Sequence, residues 1–265
     1  MADPGNPPNW QVALSEALNT TRLVLLGRVA AGTPVRTLLV TSALSGEGKS
    51  SVSLQLALSL AQAGHKTDVI DGDMRRPQLH TRLGLLTAPA IQEVVHDGET
   101  MELNTRLGLD GTLGLAEVLR GELPTEHALT DTGVPGLSLL AAGRWDPLAS
   151  RAIGLGRWKS LLAELAATHE YVVIDSTPLL PVADGLAMAR DVDGVVLSVL
   201  REVSQLQYVS EAQKRLAAVG ANILGVVLSG AAQVLYQYSR SPSAPVDVIP
   251  LAIAANSGHE PRGSL

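Results

Sequence analysis

The stretch Ala43-Leu44-Ser45-Gly46-Glu47-Gly48-Lys49-Ser50 has residue types at a spacing that can hold a chain of phosphates. It fits the pattern G-x-x-x-x-G-K-[ST] at every fixed position but the first, where Ala43 stands for glycine. Gly46 and Gly48 let the backbone curl so that successive N–H groups face an anion, and a helix starting near Lys49 adds the positive end of its dipole. Ser45, Gly46, Glu47, Gly48, Lys49, Ser50 and Ser51 are therefore the expected contact loop, with the Glu47 carboxylate exposed and solvated. Lys49 supplies a point charge for the outer phosphates, and Ser50 a hydroxyl for Mg²⁺.

Two further motifs provide the carboxylates that such a site needs. Val69-Ile70 opens into Asp71-Gly72-Asp73-Met74-Arg75, and Val172-Val173-Ile174 opens into Asp175-Ser176-Thr177-Pro178. Acidic residues that directly follow apolar runs fall at the carboxyl ends of buried strands, the ligand-binding edge of an open parallel sheet. Asp175, with Asp73 and Ser50, is the expected metal set. Asp71 and Asp73 form a close pair in which one carboxylate can stay ionised at the metal while the other, its pKa raised by that charge, works as a base; the sequence does not say which is which. Arg75 either neutralises charge on a transferring phosphoryl group or anchors the aspartate loop, since both uses exploit the same planar donor fork. A loose phosphate-loop pattern alone arises by chance in a chain of this size at about a few per cent. Both aspartate motifs would have to be accidents as well.

These motifs need strands and helices to position them. Residues 37–42, 67–70, 137–140, 171–174, 194–200 and 223–228 read as buried strands. Helices are predicted over 12–26, 49–63 (closed by Gly64), 148–168, 183–190 and 204–219, and the long region 77–135 reads as short helices without a strand. Alternation of this kind gives an α/β fold of the phosphate-loop NTPase class, a mostly parallel sheet with helices on both faces. The expected organisation is an N-terminal segment and helix (1–35), a nucleotide-handling domain (36–238) and a mobile tail rich in Ser, Pro and Gly (239–265). Thr-Arg-Leu-Gly-Leu occurs at residues 81–85 and again at 105–109, too short a match for a solenoid and more consistent with an inserted surface helix.

Composition narrows the function classes. With 265 residues and 46% hydrophobic content the chain can bury a large core, and its lack of cysteine excludes disulfides and thiolate metal sites. A net charge of −6 argues against nucleic acid as the main partner. No apolar run approaches the length of a membrane span, and the start Met-Ala-Asp-Pro-Gly-Asn lacks the basic and apolar regions of a signal peptide, so a cytoplasmic location is expected.

The combination of Ala43 to Ser50 with Asp71 to His80, the run Gly-Leu-Ala-Glu-Val-Leu-Arg-Gly-Glu from Gly114 to Glu122, and Tyr171 to Gly185 resembles the bacterial tyrosine kinases that regulate capsule and exopolysaccharide synthesis. The resemblance implies ATP with Mg²⁺ as cofactors and phosphorylation of protein tyrosine, with Lys49, Asp71, Asp73 and Arg75 as the catalytic group. It also implies a membrane activator, a polysaccharide co-polymerase, as partner, with peripheral placement at the inner face of the membrane. Polysaccharide-synthesis enzymes would be substrates, and the chain would assemble as a homo-oligomer. Tyr236 and Tyr238 stand where the family carries its tyrosine run and are the expected phosphoacceptors. The family's oligomerisation motif Glu-x-x-Arg-x-x-Arg reads Glu16, Asn19 and Arg22 here, without its middle arginine, and Ser229 stands for an asparagine that helps select the base.

Two alternatives stay open: a nucleotide-driven switch of an export system with little kinase activity, and a partition-type ATPase. Leu44 stands where the partition enzymes carry a signature lysine, which argues against the last. The histidines at 65, 80 and 169 lack metal-ligand spacing and are expected to be structural, as are Trp10, Trp145, Trp158, Tyr171 and Tyr208. Asp184, at the start of a predicted helix, is expected to cap it.

Overall fold

The computed structural model describes residues 35–83, 93–96, 99–102 and 113–230. The predicted helix at 12–26 with Glu16, Asn19 and Arg22, Trp10, the second Thr-Arg-Leu-Gly-Leu copy, Tyr236, Tyr238 and the tail all lie outside the described residues.

The chain order is β1 (Thr37–Ser42), α1 (Lys49–Gln62), β2 (Thr67–Asp71), α2 (Leu79–Arg82), β3 (Glu93–His96), β4 (Glu99–Glu102), α3 (Leu115–Arg120), α4 (Thr125–Ala128), β5 (Leu129–Asp131), β6 (Leu137–Leu140), α5 (Pro147–Gly154), α6 (Arg157–Thr168), β7 (Tyr171–Asp175), α7 (Asp184–Ala189), β8 (Gly194–Leu200), α8 (Leu206–Ala218) and β9 (Ile223–Ser229). A seven-stranded sheet runs in the order β5-β6-β2-β7-β1-β8-β9, parallel throughout except that β5 is antiparallel to β6.

Both faces of the sheet are covered, and the strands alternate between them. Leu38 and Val40 of β1 join Val69, Val173 and Val196 against Val52, Leu56 and Leu60 of α1. Leu39 joins Ile70, Ile174 and Leu197 in the opposite layer, with Leu115, Ile153, Trp158, Met188 and Leu216 from α3, α5, α6, α7 and α8. Each fully buried leucine or isoleucine here contributes about 1.5–3 kcal/mol of transfer free energy, which is why near-continuous apolar runs form the central strands.

Three expectations need correction. The region 77–135 contains strands: β3 and β4 pair as a separate antiparallel ribbon, and β5 adds an edge to the main sheet. Leu129-Thr130-Asp131 is short and polar on its exposed side, so it carries little alternation to read. The helix expected over 148–168 is two, α5 and α6, because Gly156 adopts a left-handed φ of 87° that an α-helix cannot continue through. Asp146, rather than Leu148, sets the start of α5 by accepting the Ala149 N–H at 2.8 Å, followed by Pro147 in the first turn.

Candidate functional site

β1, β2 and β7 lie side by side at the centre of the sheet, so the three sequence motifs leave it along one edge. β7 sits between the other two with Val40 and Asp71 both in register with Asp175. Gly46 and Gly48 take φ of 86° and 84°, the left-handed turns that wind the backbone into a nest ahead of α1. Gly72 is required for a different reason. Its N–H donates to the Asp175 carbonyl at 2.7 Å, and a Cβ placed there would stand 2.7 Å from that same oxygen.

The three motifs converge on Lys49. Its Nζ is 2.9 Å from Asp73 Oδ2 and 4.0 Å from Asp175 Oδ1, and donates to Ser50 Oγ at 3.4 Å. Asp71 has a different set of partners. Its Oδ2 accepts the N–H groups of Gln78 and Leu79 at 2.9 and 2.8 Å, folding the aspartate loop back onto the start of α2, while Oδ1 is buried without a hydrogen-bond partner. Burial, then the Asp175 charge, pushes Asp71 up to about 7 against the pull of those two N–H groups. Asp175 is pushed up to about 6, chiefly by burial, with the Lys49 charge and the nearby Ser50 hydroxyl opposing. Both Asp175 oxygens are buried and unpartnered by hydrogen bonds. Unsatisfied carboxylate oxygens beside a serine hydroxyl are hard donors that fit a hard divalent cation such as Mg²⁺, and a bound cation would relieve their desolvation.

Arg75 behaves as an anchor in this geometry. Its Nε donates to Asp184 Oδ2 at 3.3 Å, and its guanidinium carbon lies 4.4 Å from the centre of the Trp145 ring. Ser150 donates to the same Asp184 oxygen at 3.1 Å and accepts the Trp145 indole N–H at 2.9 Å. Asp184 is therefore a tether and not a cap: Ala183 occupies the cap position of α7, and among the described residues no side chain caps that end. Trp145 likewise takes part in holding the aspartate loop, a role its isolation in the sequence conceals.

Glu47 also departs from expectation. Only 1% exposed, its Oε2 accepts the Leu44 N–H at 2.7 Å across the phosphate loop, and its carbonyl accepts from Ser198 Oγ at 2.7 Å. A carboxylate three residues after a free N–H in a tight loop can fold back on it, which a reading based on polarity alone overlooks.

His65 and His169 lie away from this edge. His65 pairs with Glu170 at 2.9 Å, and His169 Nδ1 comes within 2.9 Å of Asp68 Oδ2. Burial pushes Asp68 up to about 7, while burial and the Lys66 charge pull His169 down, so both favour their uncharged forms and the approach is not a strong ion pair. Trp158 and Tyr171 pack in the core as expected.

The sequence profile of the CobQ/CobB/MinD/ParA nucleotide binding domain matches residues 38–234. A Staphylococcus aureus protein described as a tyrosine-protein kinase, CapB, is 30% identical over 195 residues, covering 74% of this chain and 75% of its own length. The chain belongs to this nucleotide-binding family, in its bacterial tyrosine-protein kinase branch. The kinase YwqD of Bacillus subtilis is 28% identical over 74% of this chain and 73% of its own length. Among solved structures, the VpsO kinase domain superposes with a TM-score of 0.67 at 28% identity, covering 82% of this chain and 94% of that one. The match spans every motif of the site, from the strand that precedes the phosphate loop to the end of β9.

Proposed function

We propose that this chain is an ATP-dependent protein-tyrosine kinase that acts on its own tail and on enzymes of capsular or exopolysaccharide synthesis. The observation that carries the reading is the Lys49 ammonium set between Asp73 and Asp175, with the buried, unpartnered Asp71 oxygen beside them. Lys49 and the N–H groups from Ser45 to Ser51 would hold the phosphates of ATP. Ser50, Asp175 and Asp73 would hold Mg²⁺, which when bound supplies positive charge to the phosphate oxygens.

Asp71 is the favoured proton acceptor for the tyrosine hydroxyl. A carboxylate held near neutrality can take a phenolic proton and still be ionised at physiological pH, whereas an ordinary aspartate is a weaker base by about three pKa units. Asp73 is committed to Lys49 in the nucleotide-free chain. Phosphate oxygens compete for the same ammonium, so nucleotide binding would release Asp73 from Lys49 to the metal. Arg75, held by Asp184 and Trp145, fixes the outer end of that loop.

A membrane activator of the co-polymerase type is the expected partner, with placement at the inner face of the membrane through it. Among the described residues no helix is long and apolar enough to cross a membrane. The purified chain incubated with Mg·ATP should carry phosphotyrosine on Tyr236, Tyr238 or both when mapped by mass spectrometry. Replacing both by Phe should remove most of the label and spare ATP hydrolysis. Label confined to Tyr171 or Tyr208 would refute the tail as acceptor, and hydrolysis with no phosphotyrosine would favour the switch.

A further inference from the structure

Arg82, in the first copy of the Thr-Arg-Leu-Gly-Leu segment, is the last residue of α2 and lies outside the Lys49, Asp73 and Asp175 cluster. Its Nη1 donates to Ser51 Oγ of the phosphate loop at 3.0 Å. Nη2 and Nε donate to Gln78 Oε1 at 2.9 and 3.3 Å. Gln78 is also the residue whose N–H is held by Asp71 Oδ2. The aspartate loop is thus closed on itself at Gln78 and joined through Arg82 to the loop that would hold phosphate.

Among the described residues the charge of Arg82 is unmatched. It forms no ion pair among the described residues, although it sits at the edge of a site with three carboxylates. Its field reaches Asp175, where it opposes the upward push of burial. A guanidinium has five N–H donors, so the three bonds to Ser51 and Gln78 leave one donor on each Nη atom without a partner among the described residues. The side chain is exposed, so its charge has not been taken out of water in the absence of ligand.

We propose that Arg82 is a phosphate-binding residue of the nucleotide site, a second cation beside Lys49 that couples α2 and the aspartate loop to the bound polyphosphate. The proposal rests on the nucleotide reading above. A planar donor fork held in place by Gln78 and a position against a phosphate-loop hydroxyl are what phosphate recognition by arginine uses. A tether alone would need the hydrogen bonds and not the charge.

Calorimetric titration of the full chain with Mg·ADP at several salt concentrations separates the two. Arg82→Gln keeps a polar donor and loses the charge; it should weaken Mg·ADP binding about tenfold and flatten the dependence of affinity on salt. Arg82→Lys should recover most of the salt dependence. The nucleotide-free melting temperature of both variants should match wild type, since the side chain is exposed. Arg82→Gln binding Mg·ADP as tightly as wild type, with the same salt dependence, would overturn the proposal while leaving the nucleotide site intact. Wild type failing to bind Mg·ADP would overturn the nucleotide reading itself, and the role of Arg82 with it.

Discussion

Asp71→Asn should make the nucleotide-free chain more stable at pH 8 while destroying tyrosine phosphorylation. Asp71 is 0% exposed, and burial followed by the Asp175 charge raises its pKa from 3.8 to about 7. A carboxyl whose folded pKa lies above its unfolded value binds more protons when folded, so its favourable contribution is complete below pH 3.8 and is lost as pH rises through about 7. The full span, about three pKa units at 1.36 kcal/mol each, sets a ceiling of about 4 kcal/mol. Asp175 is buried in register with Asp71 and shares the same repulsion, so part of the gain is a property of the pair, and about 2 kcal/mol is expected from the single substitution. Asparagine keeps an oxygen for the Gln78 and Leu79 N–H groups and places an amide where Asp71 Oδ1 is now unpartnered. Urea denaturation of the nucleotide-free chain at pH 4 and pH 8 measures the effect: the variant should gain at pH 8 and not at pH 4. Mg·ADP affinity should persist, and the rate of tyrosine phosphorylation should fall by about 10²-fold or more, the usual contribution of a positioned base. An Asp71→Asn chain that is less stable at pH 8, or equally altered at both pH values, would refute the reasoning. So would one that still phosphorylates tyrosine at the wild-type rate.

Asp68→Asn supplies the contrast at a buried carboxylate the reaction does not use: with its pKa raised to about 7 by burial alone, it too should add about 1–3 kcal/mol at pH 8 and little at pH 4, with kinase activity unchanged in the same preparations. Activity loss in this variant would tie the Asp68 and His169 contact to the site. Gly72→Ala brings a methyl within 2.7 Å of the Asp175 carbonyl, so the aspartate loop must move off β7; Mg²⁺-dependent ADP binding, read by calorimetry, should weaken by about tenfold or more. Unchanged binding would show that this close approach does not position the site.

The central part of this site was legible in the sequence because its determinants are local. A glycine-rich turn before a helix and carboxylates at the ends of apolar runs keep their meaning whatever surrounds them, and β1, β2 and β7 form at the predicted places. What could not be read depends on contacts between distant segments. Trp145 gains its role only when the loop after β6 meets Arg75 from the loop after β2 and Asp184 from the start of α7. Arg82 lies on a four-residue helix with no periodicity to mark it, and only the fold sets it against Ser51. Glu47 departs from the sequence expectation because a charged side chain in a surface loop is usually solvated, whereas here it accepts the Leu44 N–H inside the loop. The same holds for β5, a three-residue edge strand that is specified by its pairing with β6 more than by its own side chains.

The most direct test of the account is the transfer of label from γ-labelled ATP, with Mg²⁺, to tyrosine in wild type and in Lys49→Met. Among the described residues Lys49 is the one side chain within ionic reach of both Asp73 and Asp175, and removing its charge takes away the point that joins the three motifs. Wild type should accumulate phosphotyrosine, and Lys49→Met should accumulate none while retaining a cooperative unfolding transition. Phosphotyrosine at the wild-type rate in folded Lys49→Met, or none in wild type that binds and hydrolyses ATP, would contradict it.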